Sequence, residues 1–122
     1  MNPAPKKILI IEDDSDARET LAIRLDANGY QTVAAPNGEE GLKRYEAERP
    51  DLIILDVTMP EMDGYAFVRR FKAKYSLKKV PILVFTGKDG MQDTFQLEGV
   101  RDFLIKPCDP DELLEKVRKS LS

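Results

Sequence analysis

The sequence contains no histidine and only one cysteine, Cys108, among its 122 residues. The absence of histidine excludes His-based general-base, zinc and phosphohistidine chemistry from this chain alone, so any phosphohistidine must belong to a partner. A single cysteine excludes an internal disulfide and is typical of a reducing cytosol. We therefore expect Cys108 to serve packing rather than redox chemistry.

Long apolar runs are also absent. No run approaches the roughly 20 residues that span a bilayer, and the first residues lack the apolar segment of a secretory signal. The formal net charge of −3 argues against a nucleic-acid or anionic-membrane surface, because both require a basic face. We expect a cytoplasmic protein that contacts neither membrane nor nucleic acid directly.

Five short apolar runs alternate with amphipathic stretches, which is the pattern of a βα repeat around a parallel sheet. The runs are nearly continuous, as expected for strands that helices cover on both faces. They are Ile8–Ile11, Thr32–Ala35, Leu52–Leu55, Ile82–Phe85 and Phe103–Ile105. The length and the apolar content of 42% predict one α/β domain over residues 1–122, with its core at 6–121.

The segments between the first three runs carry helix signals. Asp16 and Glu19 form a possible capping box for a helix that ends near Gly29. A second helix is expected to begin after Asn37 and to end before Pro50.

Three further helices are predicted in the second half of the chain. Val68, Phe71 and Tyr75 have helical spacing. A short helix is expected within Met91–Glu98, which glycines bracket. The last helix begins at Asp109–Glu112, a cap followed by a proline at the first helical position.

Polar residues follow four of the five predicted strands. In chain order they are Glu12-Asp13-Asp14, Asp56, Thr86 and Lys106-Pro107. Sites in doubly wound sheets lie beyond the carboxyl ends of the strands, so these residues are expected to converge on one edge.

The residue types at this edge suit phosphoryl chemistry. Crowded carboxylates repel one another, and a hard divalent cation such as Mg²⁺ relieves that repulsion. Asp56 is then a plausible oxygen nucleophile toward phosphorus, with Lys106 and Thr86 holding the other phosphoryl oxygens. A glycine-rich phosphate loop is missing, so the site is not built to cradle a nucleotide.

The chain resembles the response-regulator receiver domains of two-component signalling from Lys7 to the last helix. The most specific motif is Asp56–Gly64, with the sequence DVTMPEMDG, which is similar to the phosphoacceptor loop of the family. The resemblance implies a flavodoxin-like doubly wound (βα)5 fold with a five-stranded parallel sheet in the order 2-1-3-4-5. It also implies Mg²⁺, or Mn²⁺, as cofactor.

The resemblance assigns the reactive positions. Asp56 matches the phosphorylated aspartate and Lys106 the phosphate-binding lysine. Asp13 matches a direct metal ligand and Glu12 one that acts through water, while the backbone carbonyl of Thr58 completes the metal shell together with Asp56.

The resemblance also assigns positions that transmit or time the signal. Thr86 matches the switch hydroxyl and Phe103 the switch aromatic residue. Thr58 and Lys88 match positions that tune the lifetime of the phosphoryl group. The family has a cis bond before the proline that matches Pro107, which would aim the preceding lysine inward.

The function implied is a phosphoacceptor receiver rather than an enzyme with outside substrates. It would take a phosphoryl group from a sensor histidine kinase or a histidine phosphotransfer protein and then control a downstream target protein. It would act as a monomer or as a phosphorylation-dependent dimer.

Three alternatives remain open at this stage. An aspartyl-nucleophile phosphohydrolase requires a carboxylate two residues after the nucleophile, where this chain has Thr58. A flavin-binding electron carrier would be repelled by the acidic residues after the first strand. A pseudo-receiver that only binds partners is disfavoured because every chemical position is filled.

Overall fold

A computed structural model describes residues 4–57, 62–86, 95–100, 102–106 and 109–122. Within them, five parallel strands form one sheet in the order β2-β1-β3-β4-β5. The strands are β1 (Lys7–Ile11), β2 (Gln31–Ala35), β3 (Leu52–Val57), β4 (Ile82–Thr86) and β5 (Asp102–Ile105). The predicted fold class and strand order are confirmed.

Helices connect the strands as the alternation predicted. They are α1 (Ser15–Ala27), α2 (Gly38–Glu48), α3 (Met62–Lys74) and α4 (Pro110–Leu121). Residues 95–97 are also helical, but 91–94 lie outside the described residues, so the start of the short helix expected there stays a prediction. Across the described parts of the chain, every helix is too short or too polar to cross a bilayer.

The sheet is covered on both faces, because successive side chains of a strand point to opposite sides. One face packs against α2, α3 and residues 95–100, and its strand residues include Leu9, Ile11, Ile53, Leu55, Ile82 and Val84. The other packs against α1 and α4, and its strand residues include Ile8, Ile10, Leu52, Ile54, Leu83 and Leu104. We call these the α2–α3 face and the α1–α4 face. The nearly continuous apolar runs follow from this two-sided burial.

Side-chain caps begin three of the helices. Asn37 accepts a hydrogen bond from the Glu40 amide at 2.8 Å, and Asp109 accepts one from Asp111 at 2.9 Å, as predicted for α2 and α4. The expected cap of α1 was wrong by two residues. Asp14 caps this helix and Asp16 lies inside its first turn, because the chain turns into the helix directly after Asp13.

Gly41 allows α2 to lie close against the sheet. A Cβ atom at this position would be 2.5 Å from Ile11 Cδ1 and 3.4 Å from Phe67 Cε1. A side chain at this position would therefore force the Ile11 side chain to shift.

Charged hydrogen bonds attach the segment before β5 to α3. Tyr65 Oη donates to Glu98 Oε2 at 2.6 Å, and Lys72 Nζ lies 2.7 Å from Glu98 Oε1. Phe95 and Val100, on either side of Glu98, are buried in the α2–α3 face. Hydrogen bonding by Lys72 and Tyr65 lowers the pKa of Glu98 below its ordinary value of 4.5. The same bond to Glu98 raises the pKa of Tyr65 above 10.0.

We expect Glu98→Gln to lower the free energy of unfolding near neutral pH. Because the pKa of Glu98 is depressed in the fold, its contribution is fully present above pH 4.5 and disappears as pH falls through the lower folded value. Urea denaturation of wild type and variant should therefore differ at pH 7 and converge well below pH 4.5. Glu115→Gln, which breaks an exposed pair with Lys119, is the matched control and should change little. An equal difference at both pH values would contradict the role of the charge.

Candidate functional site

The register of the sheet aligns the polar strand ends. Ile11 of β1 pairs with Leu55 of β3, so Glu12 and Asp56 follow at the same level on neighbouring strands. Asp56 pairs in turn with Phe85 of β4. The residues that precede these three, Ile11, Leu55 and Val84, all point to the α2–α3 face. Because side chains alternate along a strand, Glu12, Asp56 and Phe85 point to the α1–α4 face.

Glu12 is a buried acid whose backbone is fixed on both sides. Its side chain is 1% exposed. Its amide donates to the Ala35 carbonyl at 3.1 Å, and its carbonyl accepts from Arg18 Nη1 at 2.6 Å. Both carboxylate oxygens are buried, and within the described residues neither has a hydrogen-bond partner. Asp56 is the neighbouring carboxyl group, and a hydrogen bond between the two acids requires a proton on one of them, which contributes to the raised pKa of Glu12.

Asp56 and Lys106 form the central ion pair. Lys106 Nζ lies 2.6 Å from Asp56 Oδ1, and the two side chains are 27% and 5% exposed. The contact is an ion pair rather than an aligned hydrogen bond, because Asp56 Oδ1 has no partner of good hydrogen-bond geometry among the described residues. The Lys106 amide donates to the Thr86 carbonyl at 2.7 Å, which ties the end of β5 to the end of β4.

Burial raises the pKa values of both acids. Burial, followed by the charge of Asp56, raises the pKa of Glu12 from 4.5 to about 7, and Lys106 only partly opposes the change. Burial also raises the pKa of Asp56, against the lowering effect of Lys106. One lysine therefore does not neutralise the two buried carboxylates.

Thr86 and Phe103 lie on the opposite face from this ion pair. Thr86 is 1% exposed and follows the alternation of Ile82 and Val84, which belong to the α2–α3 face. Phe103 packs against the same face and pairs with Val84. The two predicted switch residues are thus diagonal neighbours on adjacent strands.

The remaining predicted positions divide into two groups. Asp13 follows Glu12 at the same edge and is exposed. Thr58, Lys88, Pro107 and Cys108 lie outside the described residues, so the metal-binding carbonyl, the lifetime positions, the cis bond and the packing of the cysteine stay predictions.

Comparisons with known proteins identify the family. The family model for the response regulator receiver domain matches residues 8–118, and the chain belongs to this family. Receiver domains are the phosphoacceptor modules of two-component signalling, and this chain is one of them.

Individual relatives agree with the family match. The alkaline phosphatase synthesis transcriptional regulatory protein PhoP of Bacillus subtilis is 37% identical over 118 residues, which are 95% of this chain and 48% of that protein. The CAI-1 autoinducer sensor kinase/phosphatase CqsS of Vibrio cholerae is 35% identical over 92% of this chain and 17% of its own length. The chain thus spans half or less of these curated relatives.

Solved structures show the same architecture. The chemotaxis protein CheY4 of Vibrio cholerae is 31% identical, has a TM-score of 0.86, and matches 97% of this chain and 100% of its own. The receiver domain of a signal transduction histidine kinase from Syntrophus aciditrophicus is 39% identical, with a TM-score of 0.82, and the match covers 95% of this chain and 89% of that one.

The residues present fit the Mg²⁺ on which the family generally depends. In the described portion of the chain, no three acidic or cysteine side chains form a metal cluster by themselves. Mg²⁺ does not require one, because it binds through one or two carboxylates and keeps several waters. The buried carboxylate oxygens of Glu12 and Asp56, for which the described residues provide no hydrogen-bond partner, are hard donors whose repulsion a divalent cation would relieve.

Two contacts of the site escaped the sequence reasoning. Arg18 holds the Glu12 carbonyl, and the Phe85 ring lies 5.1 Å from Lys106 Nζ. The alternation of β4 could have placed Phe85 beside Asp56, but the sequence pattern does not show that Lys106, directly after β5, reaches across it.

In metal-free protein we expect Glu12→Gln to increase the free energy of unfolding by roughly 1 to 3 kcal/mol, because the amide removes a buried charge and can donate to Asp56. A raised pKa means that ionisation opposes folding, so the gain should grow as pH rises from 4.5 past about 7.

Urea denaturation in chelator-containing buffer measures this effect. Glu19→Gln, at an exposed position of α1, is the control and should change stability little. A Glu12→Gln protein less stable than wild type above pH 7 would show that the buried carboxylate is satisfied.

Proposed function

We propose that Asp56 of this receiver accepts a phosphoryl group from a phosphohistidine on a sensor histidine kinase or a histidine phosphotransfer protein. The observation that carries the assignment is the ion pair between buried Asp56 and Lys106, beside the buried Glu12 carboxylate. Because this chain contains no histidine, the donor imidazole must come from the partner.

The transfer uses one carboxylate oxygen of Asp56 as the nucleophile. That oxygen forms a bond to phosphorus while the bond from phosphorus to the histidine nitrogen breaks, and the imidazole leaves with the electron pair. Lys106 is already within 2.6 Å of Asp56, so its ammonium can move to a phosphoryl oxygen over a short distance. Thr86 ends the neighbouring strand on the opposite face, so it would move toward the phosphoryl group to donate its hydroxyl to a second oxygen, and Phe103 would turn into the space that it leaves.

Glu12, Asp13 and Asp56 would hold Mg²⁺, together with the carbonyl of Thr58. When bound, the cation neutralises charge on the transferring group. Glu12 contributes negative charge at a buried position, and the backbone contacts of its amide and carbonyl keep it there.

We propose that the chain works as a switch in the cytoplasm and not as an enzyme on outside substrates. Two charge-assisted hydrogen bonds, from Lys106 and Thr86, would favour the phosphorylated conformation by about 3 to 6 kcal/mol. Reversal of a 1:99 equilibrium takes about 5.5 kcal/mol. The upper end of the range is thus just sufficient to change which surface a downstream target protein meets. Thr58 and Lys88 are proposed to tune the lifetime of the phosphoryl group.

Intact mass spectrometry after incubation with acetyl phosphate and Mg²⁺ tests the phosphoacceptor. The wild type should gain the mass of one phosphoryl group, and Asp56→Ala should not. Asp16→Ala, which removes an exposed aspartate at the same edge, is the matched control and should still be modified. A gain that persists in Asp56→Ala would overturn the assignment. Continuous phosphate release from added phosphomonoesters would instead favour the phosphohydrolase.

The switch predicts that Phe103 senses the phosphoryl group through Thr86, because both lie on the α2–α3 face. In NMR spectra of the wild type, a phosphoryl mimic should shift the Phe103 ring signals. In Thr86→Val, which keeps the shape but lacks the hydroxyl, the mimic should leave them largely unchanged. The Phe71 ring, buried in the same face, is the internal reference. An unshifted Phe103 ring in wild type would end the coupling hypothesis.

A further inference from the structure

The path of the Lys106 side chain crosses an intervening strand. Asp56 lies on β3 and Lys106 follows β5, whereas β4 separates these two strands in the sheet. Neighbouring strands are about 4.8 Å apart, so the ammonium must reach over roughly two strand spacings to touch Asp56. The Lys106 side chain must therefore contact the residue of β4 that lies between Asp56 and β5.

Phe85 occupies that crossing point. It pairs with Asp56 on one side and with Leu104 on the other, and Lys106 follows Leu104 by two residues on the same face of the sheet. The Lys106 Nζ atom lies 5.1 Å from the centre of the Phe85 ring and 2.6 Å from Asp56 Oδ1. An ammonium within about 6 Å of an aromatic centroid is attracted by the negative face of the ring.

The contact between Phe85 and Lys106 lies in a cleft. Asp56, Phe85 and Lys106 line a space of about 300 Å³ between α1 and the beginning of α4. Lys106 remains 27% exposed, so its flexible side chain has room to turn toward solvent. The ring beneath it and the carboxylate beyond it oppose that rotation.

We propose that Phe85 is a positioning residue, whose ring face keeps the Lys106 ammonium over β4 and within reach of the acceptor carboxylate. Such a residue favours the lysine conformation that meets the incoming phosphoryl group, and it reduces the loss of side-chain freedom during transfer. The proposal rests on the proposed role of Lys106, while the contact between ring and lysine stands independently of it.

Two substitutions of Phe85 distinguish a role in core packing from the proposed role in positioning Lys106. Phe85 also packs against the apolar core of the α1–α4 face. Phe85→Leu keeps apolar bulk there and removes the ring face, whereas Phe85→Tyr keeps the ring face. Phe71→Leu makes the same chemical change in the core of the α2–α3 face, where Phe71 packs against Tyr45 and Tyr75.

The contact itself is tested by NMR on unphosphorylated protein. A ring face shields protons that lie above it, so the Lys106 ε-methylene signals of wild type and Phe85→Tyr should be displaced upfield. In Phe85→Leu they should move toward the values of a free lysine, and in Phe71→Leu they should stay as in wild type. Lys106 signals that do not respond to Phe85→Leu would overturn the proposal.

The effect on transfer is tested by the rate of phosphorylation with acetyl phosphate at saturating Mg²⁺. Loss of the ring face should slow this rate about two- to fivefold in Phe85→Leu, and Phe85→Tyr should restore it. In a Lys106→Ala background, Phe85→Leu should have no further effect. If the phosphorylation rate of Phe85→Leu falls no more than that of Phe71→Leu, Phe85 does not position Lys106. If the wild type is not phosphorylated at Asp56, the proposed function is wrong. In that case the NMR signals of Lys106 still show whether Phe85 contacts the lysine.

Discussion

Two buried carboxylates side by side are the constraint on which this site depends. Glu12 and Asp56 follow paired positions of neighbouring strands, so the parallel register forces them together at one edge. Burial penalises their charges, and among the described residues Lys106 forms an ion pair with Asp56 and only partly offsets the raised pKa of Glu12. The metal-free site therefore carries a repulsion between carboxylates that a cation would relieve, so the proposed cation binding and the proposed reactivity of Asp56 would depend on the same electrostatic arrangement.

The pleat of the sheet places the ion pair and the two proposed switch residues on opposite faces. Asp56 and Lys106 meet on the side of α1 and α4, while Thr86 and Phe103 belong to the side of α2 and α3. Thr86 ends the strand that lies between Asp56 and Lys106, and its carbonyl holds the Lys106 amide. Backbone contacts of β4 therefore join the two groups of residues. On the α2–α3 face, Glu98 attaches the segment before β5 to α3.

Most of the architecture was predictable because strands buried on both faces have nearly continuous runs of apolar residues. All five apolar runs proved to be strands, and Asn37 and Asp109 proved to be caps. The cap of α1 was misplaced: Asp16 was predicted, whereas the Asp14 side chain caps the helix and accepts a hydrogen bond from the Asp16 amide. Residue pattern located the acidic residues and the lysine at strand ends, since parallel strands bring their carboxyl ends to one edge.

Hydrophobic periodicity predicted the α/β class, and the direction of the strands predicted the edge at which the site lies and the residue types there, whereas the strand order followed from the family resemblance. Which groups touch depends on contacts between distant elements. The 2.6 Å contact of Lys106 with Asp56, the Phe85 ring beneath that lysine and the Arg18 bond to the Glu12 carbonyl join residues on different elements. Their distances depend on strand order, pleat and side-chain reach, which no local pattern encodes.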